Sequence, residues 1–481
     1  MVGPSWGEGN NGGTGMVTRG LRVHFVGIGG IGMSGIAEVL LNLGYAVSGS
    51  DLTDSDTTRR LTTLRAQVTY GHDPARITSD IDVVVISSAI TAGNPEVVRA
   101  RELKIPVIPR AEMLAELMRM KAGVAVAGSH GKTTTTSLVA TVLHDAGFDP
   151  TMVIGGKLRT LGTNARLGQG RYLVAEADES DGSFLMLSPT VAVVTNIDPE
   201  HLDHYGSMDR VRDAYLEFIN RVPFYGVAVL CLDSANVRGL LPHVRKPVRT
   251  YGESLEAEYT ARDVRVVGLT TTFEVWRGGE RLGPVVLRMP GRHHALNALA
   301  AIVVGAELGV SFEASVAALR GFGGIHRRFE VIGEVGGITV IDDYGHHPAE
   351  IVATIRAAYE GFGQRPIVAF QPHRFTRTRD LFWEFIHAFD AACTLVLTDI
   401  YPAGEPQIEG VNGQALYAAI RRGGHVDVRF VPERAAVAEV VRGLVRPGDV
   451  VLVLGAGDIA RSARELVTLL EGDASATVAV R

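Results

Sequence analysis

Two cysteines, Cys231 and Cys393, are all that 481 residues carry. That is too few for a disulfide framework, and a reducing cytosol is the natural setting. Lysine is scarce too: Lys104, Lys121, Lys132, Lys157 and Lys246 are the whole set, which makes each one easier to judge. There is no surplus of basic charge, with 47 basic against 53 acidic residues and a net charge of −6. This argues against a nucleic-acid partner. It leaves room for a phosphorylated small molecule, which local devices hold. No apolar run reaches the ~20 residues of a membrane span; the most apolar stretch, 295–310, is broken by Asn297 and Glu307. An apolar signal core is missing from the N-terminal residues. Residues 1–19 are rich in Gly and Asn and are expected to form a floppy tail.

What is present is 46% apolar and 21% charged, ordinary for a soluble globular chain. At about 150 residues per domain the length predicts three domains. Glycine, at 56 residues, suits an α/β chain with many tight turns. The ordered part opens with an apolar strand over 21–26, a glycine-rich turn, an apolar helix over 34–43 and a second strand over 46–50 that ends in Asp51. Strands are expected again at 81–87 and 107–108, and 103–121 reads as a short strand followed by a helix leading out of the domain. A second unit opens with a strand over 123–127, runs through GSHGKTTTT into a helix ending at His144, and continues with strands at 173–177, 191–195 and 226–232. Apolar and polar residues alternate over 257–289, which predicts an antiparallel patch, and 291–309 reads as a helix. A third unit starts near Glu330, with strands at 338–341, 366–370, 394–397 and 450–454 between helices. Strand–helix alternation of this kind predicts parallel, doubly wound sheets.

The first turn reads Gly27-Ile28-Gly29-Gly30-Ile31-Gly32. Such glycines let backbone approach a pyrophosphate at a helix N-terminus, where free N–H groups and the dipole favour negative charge. Asp51 stands 19 residues past Gly32, where a ribose-binding acid is expected. NAD or any other nucleoside diphosphate fits this physics. The second turn, Gly128-Ser129-His130-Gly131-Lys132-Thr133-Thr134, follows a strand and opens a helix, the setting of a phosphate loop. Its N–H groups would cradle phosphates, Lys132 would reach the β and γ oxygens, and the Thr133 hydroxyl would ligate Mg²⁺. The usual leading glycine is replaced by Val126.

Glu176 ends one strand and His201 lies in the loop after another, at the carboxyl ends where open sheets bind ligands. A carboxylate and a neutral imidazole can complete the shell of one or two Mg²⁺ ions. Arg327 and Arg328, in IHRRF at the junction of units two and three, suit triphosphate or acyl-phosphate charge. The loops DDYGHHP (342–348) and HRFTR (373–377) place polar groups in a crevice, where an arginine pair beside a Tyr and a His would hold a small carboxylate.

In this order, GIGGIGMSG, GSHGKTTT, EADESD, DPEHLDHY, HRRF and DDYGHHP resemble the motif series of the Mur ligases of peptidoglycan synthesis, over nearly the whole chain from Leu21 on. The resemblance implies three α/β domains, each a mostly parallel sheet with flanking helices: a Rossmann-like UDP-sugar domain over 20–121, a central P-loop ATPase domain over 122–329, and a Rossmann-like amino-acid domain over 330–481. It implies that Gly27, Gly29, Gly30, Gly32, Asp51 and Ser88 meet the UDP-sugar. Residues 128–134, with His294, Asn297 and Arg328, would hold ATP, and Thr133, Glu176 and His201 would hold Mg²⁺. Tyr344, His346, Arg374 and Arg377 would surround L-alanine, with Lys132, Glu176, His201 and Arg328 at the chemistry. Relatives commonly read GRHNALN where this chain has GRHHALN; the imidazole of His294 can still donate one hydrogen bond. The carbamylated lysine of several sister ligases has no counterpart, since no lysine lies between Lys157 and Lys246. That fits the alanine-adding branch.

The expected activity is therefore cytoplasmic and ATP-dependent. ATP would phosphorylate the lactyl carboxylate of UDP-N-acetylmuramate, and the amine of L-alanine would attack the acyl phosphate. The protein's share is positioning and charge stabilisation. A monomer or weak homodimer is expected. A ligase that adds an intact tripeptide to the same sugar nucleotide is the near alternative. An NAD-dependent oxidoreductase leaves the phosphate loop unused, and a non-enzymatic P-loop sensor leaves Glu176, His201 and the third domain without a task.

Overall fold

A computed structural model describes residues 20–87, 89–156, 159, 164–424 and 427–479. The tail over 1–19, Ser88 and Lys157 lie outside the described residues.

The first five strands are β1 (Arg22–Val26), β2 (Ala46–Asp51), β3 (Gln67–Tyr70), β4 (Val83–Ile86) and β5 (Val107–Pro109). They form one parallel sheet in the order β3-β2-β1-β4-β5. Its centre is dry because β1 and β4 carry Val23, Phe25, Val26, Val84 and Val85, all buried. Gly49 in β2 is a packing glycine: a Cβ there would lie 2.7 Å from the Phe25 carbonyl oxygen.

The chain continues through β6 (Ala122–Ala127), the short β7 (Thr151–Val153) and β8 (Ala165–Arg166), then β9 (Tyr172–Glu176), β10 (Val191–Val194), β11 (Val227–Cys231), β12 (Val248–Gly252), β13 (Tyr259–Val267), β14 (Thr270–Arg277) and β15 (Glu280–Leu287). The middle sheet runs β15-β14-β13-β12-β11-β10-β6-β9. Its strands are parallel from β13 to β9, and β13, β14 and β15 form the antiparallel patch that alternation predicts. The last sheet holds β16 (Glu330–Val335), β17 (Ile338–Asp343), β18 (Ile367–Phe370), β19 (Thr394–Leu397), β20 (Val428–Phe430) and β21 (Val450–Leu454). Its order is β16-β17-β21-β18-β19-β20, parallel except for β16.

The three sheets group into two compact units. One holds the chain up to Met120 with Thr151–Val153 and Ala165–Gln169; the other holds the remainder, so that the middle and last sheets belong to one body. The first helix departs from expectation: it spans Ile31–Asn42 and begins three residues before Ser34. Gly32 hides its start, since glycine is a poor helix former. A side chain there would crowd Arg110, whose Cδ lies 3.0 Å from the Cβ position. The strands that sequence reading omits (β3, β7, β8, β12, β16 and β20) are short or half-exposed and lack a continuous apolar run. Among the described residues no helix is long and apolar enough to cross a membrane.

Candidate active site

In the first unit, β1 delivers the glycine turn. Gly27 adopts φ +80, and the N–H groups of Gly27 and Ile28 both donate to the Ser50 carbonyl, at 2.8 and 3.0 Å. The Asp51 carboxylate accepts from the Gly29 N–H at 2.8 Å and from the Thr53 N–H at 3.2 Å. A Cβ on Gly29 would lie 2.8 Å from Asp51 Oδ2 and 2.9 Å from Thr58 Cγ2. Asp51 is thus tied to the turn, and the helix that follows Gly30 has no side-chain cap on its first N–H groups.

In the second unit, β6 delivers the phosphate loop. Gly128 (φ +139) and Gly131 (φ +80) supply the left-handed turns. A Cβ on Gly128 would fall 2.0 Å from Thr195 Oγ1, so no other residue fits. The helix Lys132–Asp145 then starts with uncapped N–H groups, a setting that favours an anion. Lys132 Nζ donates to the Gly128 carbonyl (2.7 Å), the Ser129 carbonyl (3.2 Å) and Glu179 Oε1 (2.8 Å). Burial alone would weaken its hold on a proton. The carboxylates of Glu179, Asp178, Glu200 and Glu176 outweigh that and keep the ammonium charged. Burial lifts the Glu179 pKa to about 7, against the pull of Lys132.

Thr133 donates its hydroxyl to Glu176 Oε2 at 2.9 Å, and the Gly155 N–H donates to the same oxygen at 3.0 Å. His201, at a left-handed φ of +55, stands with Nε2 3.8 Å from Glu179 Oε1; burial holds its pKa down, so the ring is a neutral ligand type. Glu179, Glu200 and His201 bring ligand atoms within 4.8 Å of one another. The structure thus joins Thr133 to Glu176 and His201 to Glu179. Sequence reading missed Glu179 and Glu200, although Glu179 follows Glu176 in EADESD and Glu200 precedes His201. The buried Glu179 Oε2 has no hydrogen-bond partner. An orphaned buried oxygen close to a second carboxylate and one imidazole fits a hard divalent cation such as Mg²⁺.

Above the loop lies a cavity of about 220 Å³ whose lining includes Gly131, Tyr251, His294, Asn297 and Arg328. Asn297 Oδ1 accepts from the Thr135 hydroxyl at 3.1 Å, and its Nδ2 faces His294 Nδ1 at 3.4 Å. His294 Nε2 faces His293 Nε2 at 3.1 Å. Burial keeps both imidazoles neutral, with His293 near a pKa of about 4 and His294 well below its ordinary value. The two arginines of HRRF part company. Arg327 bonds Asp342 at 3.3 Å and the Gly455 carbonyl, while Arg328 lines the cavity. Both guanidiniums lie over the Tyr344 ring, at 5.0 and 5.3 Å.

A second cavity of about 490 Å³ is lined by Glu200, His201, Arg374, Thr376 and Arg377, among others. Burial lowers the Arg377 pKa although Glu200 opposes it, so a buried guanidinium faces this space. Tyr344 and His346 do not line it. His346 bonds the Tyr344 carbonyl at 3.0 Å and packs 5.8 Å from His373, with its pKa lowered by burial to about 4. The side chain of His130 reaches Asp198 (3.3 Å) and Glu350 (3.5 Å) and lines the first cavity. Burial opposes its proton and the two carboxylates win, lifting the pKa to about 10.

The sequence matches the model of the Mur ligase family catalytic domain over residues 22–122, of the Mur ligase middle domain over 126–305 and of the Mur ligase glutamate ligase domain over 327–457. It is 58% identical to a UDP-N-acetylmuramate–L-alanine ligase of Geotalea uraniireducens over 94% of this chain and 98% of that protein. A protein of the same name from Sorangium cellulosum is 59% identical over 94% of this chain and 96% of its own. Among solved structures, a UDP-N-acetylmuramate–alanine ligase from Thermotoga maritima superposes with a TM-score of 0.81 at 31% identity, covering 94% of this chain and 100% of that one. With the phosphate loop, the glycine turn and the three sheets in place, the chain belongs to the Mur ligase family.

Proposed function

We propose that this protein joins L-alanine to the lactyl carboxylate of UDP-N-acetylmuramate at the expense of ATP, in peptidoglycan precursor synthesis. The identity of 58% over 94% of the chain to a ligase of that name carries this reading. The tripeptide-adding alternative is not favoured, since the L-alanine ligases are 58–59% identical to this chain while a solved murein peptide ligase is 23% identical. A dehydrogenase is set aside because the phosphate loop and its buried Lys132–Glu179 pair would have no use.

The proposed division of labour follows the chain. Residues 20–121 take the UDP-sugar through Gly27, Gly29, Gly30, Gly32 and Asp51, and through Ser88, which lies outside the described residues. Residues 122–329 take ATP. The N–H groups of 128–134 face the phosphates, Asn297 and His294 face the base, and Lys132 and Arg328 offset the charge of the transferred phosphoryl group. Thr133, Glu176 and His201, with Glu179 and Glu200 beside them, would hold Mg²⁺, which supplies Lewis-acid stabilisation of phosphate oxygens when bound. Residues 330–481 take the amino acid. Arg374 and Arg377 bind its carboxylate by charge-assisted hydrogen bonds, with Tyr344 and His346, outside the lining of that cavity, as further contacts. Activation precedes capture: a carboxylate is a poor electrophile until phosphorylated, and excluding water protects the acyl phosphate. A cytoplasmic location and a monomer or weak homodimer complete the proposal.

The test is an amino-acid panel scored for phosphate release. Release that requires both UDP-N-acetylmuramate and L-alanine is the expected result. Release with NAD turnover, or without any amino acid, would sink the reading.

A further inference from the structure

His130 belongs by sequence to the phosphate loop and, with Glu350, lines the cavity above it; both of its ring nitrogens face carboxylates. The ring is buried among groups from two parts of the chain. Nε2 lies 3.3 Å from Asp198 Oδ2, in the loop after β10, and Nδ1 lies 3.5 Å from Glu350 Oε1, on the helix Pro348–Phe362 of the last sheet. Its face packs against His347, with ring centroids 4.7 Å apart. Neither carboxylate contact is an aligned hydrogen bond, so the link is one of charge rather than of shared protons.

His130, Glu200 and His347 also bring ligand atoms within 4.8 Å of one another, the donor types of a transition-metal site. The hydrogen bonding speaks against that use. His347 Nδ1 accepts the Ala349 N–H at 3.3 Å as part of the helix cap. In a neutral ring the proton then sits on Nε2, which points to Glu200 at 3.8 Å. A ligating histidine has the reverse arrangement, donating through its other nitrogen.

Glu350 is the pivot. Its Oε2 accepts the backbone N–H of His346 (3.1 Å) and of His347 (3.3 Å), while Oε1 faces His130. One carboxylate therefore ties the phosphate loop to the loop carrying Tyr344 and His346. We infer that His130 is a positioning residue: with Glu350 it couples the conformation of the phosphate loop to that of the amino-acid loop, so that ATP and L-alanine bind cooperatively. This rests on the function proposed above. A nucleotide that moves the loop moves His130, and Glu350 passes the shift to residues 344–347. By linkage the effect is reciprocal, and couplings of this kind are typically about 5–150-fold.

The experiment measures the dissociation constant of L-alanine with and without a non-hydrolysable ATP analogue, with UDP-N-acetylmuramate present throughout. The intact protein should bind alanine at least about fivefold more tightly with the analogue, the low end of such couplings. His130→Asn and Glu350→Gln should each bring that ratio close to one, and the double variant should lose no more than either single one. His130→Asn leaves the Glu350 cap in place, so it keeps the test valid should Glu350→Gln unfold. A merely structural role would lower the melting temperature and leave the ratio intact. A ratio of one in the intact protein, or an undiminished ratio in His130→Asn, overturns the inference alone. Failure to bind the ATP analogue or alanine at all overturns the proposed function with it.

Discussion

Two turns of this chain share one grammar and differ in what surrounds them. Each follows a buried strand, uses left-handed glycine and opens a helix whose first N–H groups have no side-chain cap. At the 27–32 turn the Asp51 carboxylate accepts the Gly29 N–H and so stiffens the loop. At the 128–134 turn a buried ammonium is threaded between two loop carbonyls and the Glu179 carboxylate. The first arrangement can hold a diphosphate that stays as it is. The second carries a buried cation, a buried carboxylate and a cluster of further acids, which is what a phosphate that must change charge and partner requires. Glycine spacing says where phosphates go. The charged neighbours decide whether chemistry happens there.

Breaking the second turn should have the largest effect. Lys132→Ala is expected to remove turnover, a loss of at least about 10³-fold, while the dissociation constant for UDP-N-acetylmuramate stays within a few-fold. It should also destabilise the fold, because Glu179 loses its partner; breaking a buried pair costs about 3–5 kcal/mol. Adding Glu179→Gln to that variant should recover melting temperature without recovering turnover. A titration in which Lys132→Ala abolishes sugar-nucleotide binding would show that the two turns are not separate sites.

Arg377→Ala comes next. Removing a charge-assisted hydrogen bond to a carboxylate costs about 1.5–3 kcal/mol, or roughly 10–150-fold in the alanine KM. Steady-state kinetics would place Arg377 in the nucleotide site instead if the ATP KM rose while the alanine KM held.

How far these regions were legible in advance follows from distance along the chain. The two turns, Lys132, Thr133, Glu176 and His201 lie in short motifs whose residue types and flanking strands carry their meaning. Glu179 and Glu200 sit inside those motifs, but nothing in EADESD says which acid faces a lysine; the geometry of the β9 exit decides it. Asp51 could be assigned to a ribose by spacing alone, and only the folded turn shows it holding Gly29. Glu350 was out of reach. Its partner His130 is 220 positions earlier, and a glutamate three residues into a helix after HHP reads simply as a cap. The fold was clearest where strands were fully apolar, as in β10 and β21, and faded at the short or half-exposed strands such as β3 and β20.

The first turn can be probed by filling it. Gly29→Ala would set a methyl 2.8 Å from Asp51 Oδ2 and 2.9 Å from Thr58 Cγ2, so the carboxylate must move. Overpacking of this size costs about 1–3 kcal/mol. The expected result is a weaker sugar-nucleotide complex, by roughly 5–150-fold if that cost falls on the complex, with the ATP KM unchanged. An unchanged sugar-nucleotide affinity would remove the glycine turn from that site.

The smallest effect is expected at His294, where the motif that the family resemblance implies would have asparagine. His294 uses Nδ1 toward Asn297 and Nε2 toward His293. An asparagine oxygen can take over the first contact, so His294→Asn should shift the ATP KM by no more than about threefold, the scale of one weak neutral hydrogen bond. Its signature lies in pH instead. Burial keeps the folded-state pKa of His294 well below its ordinary value, so the unfolded chain takes up the proton first. Stability from this residue is therefore complete above about pH 6.5 and is lost as pH falls below it, at about 1.4 kcal/mol per pH unit once the unfolded imidazole is charged. Asparagine does not titrate. Melting temperatures at pH 7.5 and 5.5 should fall less steeply in His294→Asn than in the parent, while His293, which remains, keeps part of the acid sensitivity. Parallel pH dependences in the two proteins would mean that His294 is solvated or charged in the fold, and the neutral chain from Thr135 through Asn297 to His293 would have to be abandoned.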